Sequence, residues 1–192
     1  MTTLLLVRHG ETEWNRVGRW QGHSDTPLNE AGREQARALA AELSDVDVVY
    51  SSDLARARET AEILAEPLGL GVQVDQRLRE RGFGEWEGKT SAEIEAEFSE
   101  DHARWLAGAA PGAKDAEPFS EFAARVHACV AEVLERHPDE TVLLVAHGGF
   151  LRAVHALAAG LDYVRDHNSI PGVANCTVAR YTARDGKLTP LD

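Results

Sequence analysis

Two histidines, each followed by glycine, stand just after short apolar runs in the sequence. His9 comes after the run Thr3 to Val7, and His147 comes after the run Val142 to Val145. Short apolar runs that end in this way are typical of buried strands. In open α/β sheets, ligands bind beyond the carboxyl ends of the strands, beside helix N-termini whose free amides attract anions. The spacing therefore predicts one anion site that His9 and His147 share.

Arginines near these positions are suited to hold a phosphate group. A phosphomonoester dianion needs several fixed donors, and the planar guanidinium group donates to phosphate oxygens in a bidentate way. Arg8 directly precedes the first histidine, and Arg56 lies in the first turn expected after a strand at the same edge of the sheet. Asn15 adds a neutral donor. By itself, Arg56 also fits a solvated helix position paired with Glu59.

Cleavage of a phosphate ester also needs a proton donor for the departing oxygen, and a partly buried carboxylic acid can supply it. Glu80 is the candidate, since Phe83 and Trp86 stand nearby to exclude water. Glu85 and Glu87 belong to the same segment. Chemistry alone therefore leaves the choice among the three acids open.

The elements that must position these residues alternate between strands and helices. Apolar runs predict strands at 3–7, 46–50, 72–74 and 142–145, and a strand, an Asp185-Gly186 turn and a second strand form the tail. Helical patterns cover approximately 30–43, 53–66 and 91–98. A further helical stretch follows 98 and ends at 106, and two more helices are predicted at 119–136 and 150–159. This order predicts an α/β fold with a mostly parallel sheet and helices on both faces.

Two segments between these elements are predicted to be loops. The Gly-rich, charged segment 79–89 should be exposed, and Thr90 to Glu93 has the form of a capping box that opens the next helix. Residues 108–118, rich in Ala, Gly and Pro, are predicted to form a mobile loop or the edge of a lid.

Composition narrows the class of protein. The chain has 192 residues, of which 43% are hydrophobic and 27% charged, so we expect a single domain over 1–192. Its net charge of −12 argues against binding to nucleic acid or to an anionic membrane, because both need a basic face. Cys129 and Cys176 are too few for a disulfide framework and are expected to be buried free thiols. The apolar run Leu4 to Val7 is too short for a signal segment, and we expect a cytoplasmic protein.

At this point the motifs resemble those of a known family, the histidine phosphatases of the phosphoglycerate mutase-like superfamily. Several motifs occur in order over nearly the whole chain, which is more specific than any single short pattern. They are LVRHGETEWN at 6–15, GRWQGHSDTPLNEAGREQA at 18–36, SSDLARARETA at 51–61, LRERGFGEWEG at 78–88 and VLLVAHGGFLRA at 142–153.

The resemblance implies a three-layer α/β/α sandwich with a mostly parallel mixed sheet, and a phosphatase that works through a phosphohistidine intermediate. It implies that His9 is the nucleophile and that Glu80 is the proton donor. The other catalytic residues it implies are Arg8, Arg56 and His147, which surround the phosphoryl group. The expected substrate-binding residues are Arg8, Asn15, Gln21, Arg56, Glu80, His147 and Gly148. No metal and no cofactor are expected, and the expected partner is a small phosphorylated substrate.

The chain departs from the family pattern before its long helix. Many relatives carry Gly-Glu-Ser there, whereas this chain has Ala116-Glu117-Pro118. The change places the substrate-facing side of that segment in question. Four aromatic residues are candidates either for an apolar leaving-group pocket or for the core. They are Trp20, Phe83, Trp86 and Phe150.

Other functions share parts of this pattern. A cofactor-dependent phosphoglycerate mutase returns the phosphoryl group to substrate. Such mutases resemble this chain in the core, but they carry a longer and more basic insert where this chain has the short and acidic residues 89–117. A phosphohistidine-protein phosphatase is a further alternative. A binding module without activity is disfavoured because His9 and Glu80 are both present. A metal hydrolase is disfavoured because Arg8 and Arg56 would repel a divalent cation. The sequence leaves the particular phosphomonoester and the oligomeric state open.

Overall fold

A computed structural model describes residues 1–108, 112–184 and 186–191. Within these ranges, six strands form one mixed sheet in the order β3-β2-β4-β1-β5-β6. Neighbours among β3, β2, β4 and β1 run parallel, while β5 and β6 are antiparallel additions at one edge. The strands are β1 (Thr2–Arg8), β2 (Val48–Ser51), β3 (Val72–Val74), β4 (Thr141–Ala146), β5 (Val178–Arg184) and β6 (Lys187–Leu191).

The helices lie on both faces of this sheet. Those of the described residues are α1 (Glu13–Arg16), α2 (Glu30–Ala40), α3 (Ala55–Ala65), α4 (Ser91–Glu97), α5 (Ser99–Leu106), α6 (Phe119–Arg136), α7 (Gly148–Ala159) and α8 (Tyr163–Asp166). The side chain of Asn29 caps α2, and Thr90 and Glu93 form the capping box of α4, as the sequence predicted. Helix α7 begins two residues earlier than expected, so its first turn contains both glycines of the HGG motif.

Alternation along β1 and β4 divides the core into two halves. Leu4 and Leu6 pack with α6 and α7 on one face, whereas Leu5 and Val7 pack with α2 and α3 on the other. Both strands are apolar on both sides because both faces are covered. The predicted three-layer α/β/α sandwich with a mostly parallel sheet is thereby confirmed.

A third, smaller apolar cluster lies outside the sandwich, beneath α4 and α5. Trp86 is fully buried in it, together with Ile94, Ala113 and Ala116. The prediction that segment 79–89 is an exposed loop was wrong, because Trp86 anchors the segment in this cluster and Arg81 is buried as well. Ala113 and Ala116 likewise pack into the cluster, so the described part of 108–118 is held in place, while 109–111 lie outside the described residues.

Two smaller expectations concern cysteines and membranes. Cys129 is buried and Cys176 is half-buried, and both are free thiols. The expectation of burial is therefore confirmed for Cys129 and wrong for Cys176, which lies in a turn with φ +50. None of the described helices combines the length and apolar character that a membrane crossing requires.

Candidate active site

The parallel pairing of β1 with β4 brings the two predicted histidines together. Arg8 lies opposite Ala146 in the register, and the amide of His9 donates to the carbonyl of Ala146 at 3.0 Å. The chain therefore leaves both strands at the same edge of the sheet. The rings of His9 and His147 lie 5.1 Å apart between centroids.

His9 is held in one tautomer by its own neighbour. Its Nδ1 lies 2.7 Å from the carbonyl oxygen of Gly10, which can only accept, so Nδ1 carries the proton and Nε2 bears the lone pair. The amide of Gly10 in turn donates to the hydroxyl of Thr60. A side chain on Gly10 would collide with the backbone of Gly32, since its Cβ would lie 2.5 Å from that carbonyl oxygen. This turn therefore needs glycine.

Both histidines are neutral at physiological pH. Burial is the main cause that holds the pKa of His9 well below its usual value, and the positive charges of Arg56 and Arg8 lower it further. Burial, Arg56 and the neighbouring His9 lower the pKa of His147 in the same way. An unprotonated imidazole is the form that can attack a phosphorus atom.

Arg56 is buried and held from one side by two carbonyl groups. Its Nη1 donates to the carbonyl of Ser24 and its Nη2 to that of Gly22, both at 2.8 Å. Its Nε is buried without a protein partner in the described structure. Burial lowers the pKa of Arg56 to about 10, and Glu80 opposes that shift, so the group remains charged.

Arg8 is oriented by the C-terminal part of the chain. Its Nη1 donates to the carbonyl of Val173 at 2.6 Å, and its own carbonyl accepts from the amide of Cys176. Its Nε is also buried without a partner among the described residues, as are both ring nitrogens of His147. Buried polar groups are normally paired, so the Nε donors of Arg8 and Arg56, together with the single N–H of the neutral His147 ring, are available to an anionic ligand.

Glu80 lies across the cleft at the start of α7. Its Oε2 accepts from the amide of Gly149 at 3.0 Å, and its Oε1 accepts from the amide of Arg81 at 2.9 Å. These two hydrogen bonds fix the Glu80 carboxyl group in the cleft that His9 lines.

The segment with the altered motif supports Glu80 from behind. The carboxylate of Glu117 accepts from the amide of Gly82 and forms a two-pronged ion pair with Arg125. Arg125 also donates to the carbonyl groups of Arg77, Arg79 and Glu80. The change to Ala116-Glu117-Pro118 thus retains the carboxylate that braces the acid-bearing segment.

The remaining predicted binding residues occupy different positions around the cleft. Asn15 lines it and uses its Oδ1 as an acceptor for Thr12, so its amide nitrogen is the atom that can donate to a ligand. Gln21 also lines it, with its Oε1 engaged by Thr12 and Thr26. Gly148 forms part of the wall. His147 is not among the residues that line the open cleft, and its ring is buried next to that of His9.

The cleft has a volume of ≈ 460 Å³ and extends well beyond these polar groups. Trp20 and Phe83 form part of its aromatic wall, whereas Trp86 and Phe150 are fully buried in the core. Sequence reasoning did not identify several further lining residues, which come from distant loops and from helix faces that look like ordinary core or surface. They are Trp14, Arg19, Arg81, Trp105, Phe119, Arg152, Tyr163 and His167.

Asn175 is another residue that the sequence did not reveal. Its Nδ2 donates to the backbone carbonyl of His9 at 2.7 Å and lies 3.4 Å from Oδ1 of Asn15. No motif marks it, because its role depends on where the C-terminal loop crosses the sheet edge. Among the described residues, no group of three or more His, Cys, Asp or Glu side chains is arranged to hold a metal ion.

Comparison with known proteins places this arrangement in a class. A family model for the histidine phosphatase superfamily, branch 1, matches residues 4–191. The chain is 38% identical to glucosyl-3-phosphoglycerate phosphatase of Mycobacterium tuberculosis, over 97% of this chain and 86% of that protein. It is 39% identical to phosphoserine phosphatase 1 of Hydrogenobacter thermophilus, over 84% and 78% of the two chains. Bacillus stearothermophilus YhfR superposes with a TM-score of 0.91 at 34% identity, covering 99% of this chain and 95% of YhfR.

The chain therefore belongs to the histidine phosphatase superfamily. The family expected from the sequence motifs is confirmed, and the chain is an enzyme of the histidine phosphatase type.

Proposed function

We propose that the chain hydrolyses small phosphorylated metabolites through a phosphohistidine formed at Nε2 of His9. The observation that carries the proposal is the hydrogen bond from Nδ1 of His9 to the carbonyl of Gly10, because it directs the lone pair of Nε2 away from the backbone. The buried, unpartnered donors of Arg8 and Arg56 support it, since an anion beside the nucleophile would satisfy them.

In the first step, Nε2 of His9 forms a bond to phosphorus while the bond from phosphorus to the ester oxygen breaks. The proton on the Glu80 carboxyl group passes to the departing oxygen and releases the alcohol. Arg8, Arg56 and His147 stabilise the charge on the three phosphoryl oxygens during the transfer.

In the second step, water attacks the phosphorus atom and its proton passes to the carboxylate of Glu80. The bond from phosphorus to nitrogen breaks, inorganic phosphate leaves, and neutral His9 and the Glu80 acid are restored. The hydrogen bond to Gly10 keeps the ring in place while it carries the phosphoryl group.

The substrate class follows from the cleft and from the relatives. The cleft beside the polar groups has room for the alcohol part of a phosphate ester, with Trp20 and Phe83 in its aromatic wall. Arg81 and Arg152 add positive charge to the same cleft. Relatives are named for glucosyl-3-phosphoglycerate and phosphoserine, both small phosphate esters. A panel of phosphomonoesters, assayed for released phosphate, would identify the preferred alcohol.

The nucleophile is tested by His9→Ala, with His127→Ala as the control, since His127 is exposed on α6. We expect His9→Ala to abolish hydrolysis of p-nitrophenyl phosphate and to yield no acid-labile phosphoenzyme after rapid quenching. His127→Ala should retain both. Turnover by His9→Ala, or a phosphoenzyme trapped on it, would mean that another residue is the nucleophile.

Two further parts of the proposal concern the metal and the competing mutase reaction. We expect full activity after dialysis against EDTA, and loss of activity that zinc or magnesium restores would overturn the metal-free scheme.

A probable phosphoglycerate mutase of Escherichia fergusonii is 34% identical to the chain. Incubation with 3-phosphoglycerate tests this alternative: phosphate release supports the proposed hydrolase, whereas accumulation of 2-phosphoglycerate without phosphate release would favour the mutase.

The cytoplasmic location expected from the sequence also belongs to the proposal. It is supported by the two free thiols, Cys129 and Cys176, which suit a reducing compartment. Fractionation of cells that produce the protein should recover its activity with the cytoplasmic enzymes, and recovery with an exported marker would contradict it.

A further inference from the structure

The carboxylate of Glu87 joins two loops that flank the cleft. Its Oε1 accepts from the backbone amides of His23 at 2.9 Å and Phe83 at 3.0 Å. Its Oε2 accepts from the amide and the hydroxyl of Ser24, at 2.9 and 2.8 Å. A carboxylate that accepts four hydrogen bonds from two directions is fixed in place.

The same short stretch of backbone holds Arg56 on its other side. The carbonyl groups of Gly22 and Ser24 accept from its Nη2 and Nη1. One peptide group, between Gly22 and His23, therefore donates to Glu87 through its N–H and accepts from Arg56 through its C=O. A peptide group bonded in this way at both ends is polarised, which strengthens both hydrogen bonds.

Gly22 permits this close approach. It has a φ of +51, and a Cβ at this position would lie 2.1 Å from Oε1 of Glu87. Only glycine allows the carboxylate to pack against this backbone. The position of the 22–24 backbone is thus set by contact with Glu87 as well as by its hydrogen bonds.

Charge acts in the same direction as geometry. Burial lowers the pKa of Arg56, and the negative charges of Glu80, then Asp25, then Glu87 raise it again. The carboxylate of Glu87 therefore compensates part of the charge of the buried Arg56, and the backbone of residues 22–24 lies between the two groups. A buried cation with unpaired groups needs such compensation.

We propose that Glu87 is a positioning residue that fixes Arg56 at the phosphoryl site through the backbone of residues 22–24. The inference rests on the proposed function, because it takes Arg56 to bind the phosphoryl group. It assigns Glu87 a task distinct from that of Glu80, although both carboxylates belong to the same segment.

The direct test measures the binding of inorganic phosphate by isothermal titration calorimetry, which needs no turnover. We expect Glu87→Gln to weaken phosphate binding about tenfold, because the amide group presents N–H donors to backbone N–H donors. Glu87→Asp keeps the charge and should recover part of the loss. Glu85→Gln is the matched control, because it removes an equal charge from an exposed side chain of the same segment, and it should bind phosphate as the unaltered protein does.

Kinetics separates action through Arg56 from action through Glu80. Arg56 contacts the phosphoryl group of every substrate, so Glu87→Gln should lower kcat/KM for alkyl and nitrophenyl phosphates by the same factor. A loss confined to alkyl phosphates would overturn the inference, since it would show that Glu87 acts on the proton donor instead.

Ser24→Ala provides a milder variant if Glu87→Gln fails to fold. It removes only the hydroxyl bond to Oε2 and should weaken phosphate binding in the same direction by a smaller factor. Unchanged phosphate affinity in every folded variant at Glu87 and Ser24 would refute the positioning role alone. Failure of the unaltered protein to bind phosphate would instead refute the proposed phosphate site.

Discussion

The carboxylate of Glu80 accepts a hydrogen bond from the amide of Gly149, the second residue of α7, at 3.0 Å. This contact ties the proposed acid to the helix that starts directly after His147. The hydrogen bond joins the start of α7 to the 78–88 segment, and the absence of a side chain on Gly149 allows it.

Gly149→Ala should displace Glu80, because the new Cβ would lie 2.2 Å from Oε1. We expect kcat/KM for an alkyl phosphate to fall about 100-fold, within the usual range for loss of acid catalysis. Gly71→Ala is the control, since Gly71 does not line the cleft and its Cβ would meet nothing within 4 Å. Equal kinetics of the two variants would show that the Gly149 contact does not position the acid.

Glu80→Gln should slow substrates with poor leaving groups most, since their oxygen needs a proton in the transition state. We expect a loss of about 100-fold or more for alkyl phosphates and a much smaller one for p-nitrophenyl phosphate. Steady-state kinetics over a series of esters would give the dependence on leaving-group pKa. A uniform loss across the series would contradict the role of Glu80 as acid.

Folding stability should fall as the pH drops below about 6.5, the ordinary pKa of histidine. His9 and His147 have lowered pKa values in the folded protein, so the unfolded chain binds more protons there, and the stability present above pH 6.5 is lost as the pH falls toward the folded pKa values. Each contributes at most about 1.4 kcal/mol per pH unit. Urea unfolding at pH 7.5 and 5.5, in buffer without phosphate, measures the loss.

The matched comparison for this pH effect is the double variant His9→Asn with His147→Asn. It should lose less stability over the same interval, because neither asparagine takes up a proton. His127 is exposed on α6, so His127→Asn serves as the control and should follow the unaltered protein. Equal pH dependence in the double variant would contradict the lowered pKa values.

Arg125→Lys should destabilise the protein and weaken acid catalysis together. A lysine cannot replace the donors that reach Glu117 and the carbonyl groups of Arg77, Arg79 and Glu80, and we expect a loss of roughly 2 kcal/mol in the free energy of unfolding.

Arg104→Lys, at an exposed site on α5, serves as the control for Arg125→Lys and should be neutral. The diagnostic reading is a larger kinetic loss for alkyl than for nitrophenyl phosphates. A purely structural Arg125 would lower stability and leave that ratio unchanged.

The sequence predicted most of the sandwich because β1 and β4 are apolar on both faces and each is followed by a histidine and a glycine. Among the three nearby acids, the sequence favoured Glu80 only through family resemblance. In the structure Glu80 lines the cleft, whereas the carboxylate of Glu87 accepts hydrogen bonds from backbone amides. Arg125 and Asn175 could not be predicted, because each bonds to backbone carbonyl groups that become neighbours only in the folded chain. The segment that contains Trp86 was predicted to be exposed because its neighbours in sequence are charged, whereas some of the residues that Trp86 packs against are distant in sequence.

The strand order carries a consequence for how the enzyme is made. β1, which ends at His9, is paired on both sides by strands from the last third of the chain, β4 and β5. Such long-range pairing is slow to form, and during synthesis it must wait until those residues have left the ribosome. The sheet edge that carries Arg8 and His9 is therefore completed only after nearly the whole chain has been synthesised, because β1 has both of its partner strands in the last third of the sequence.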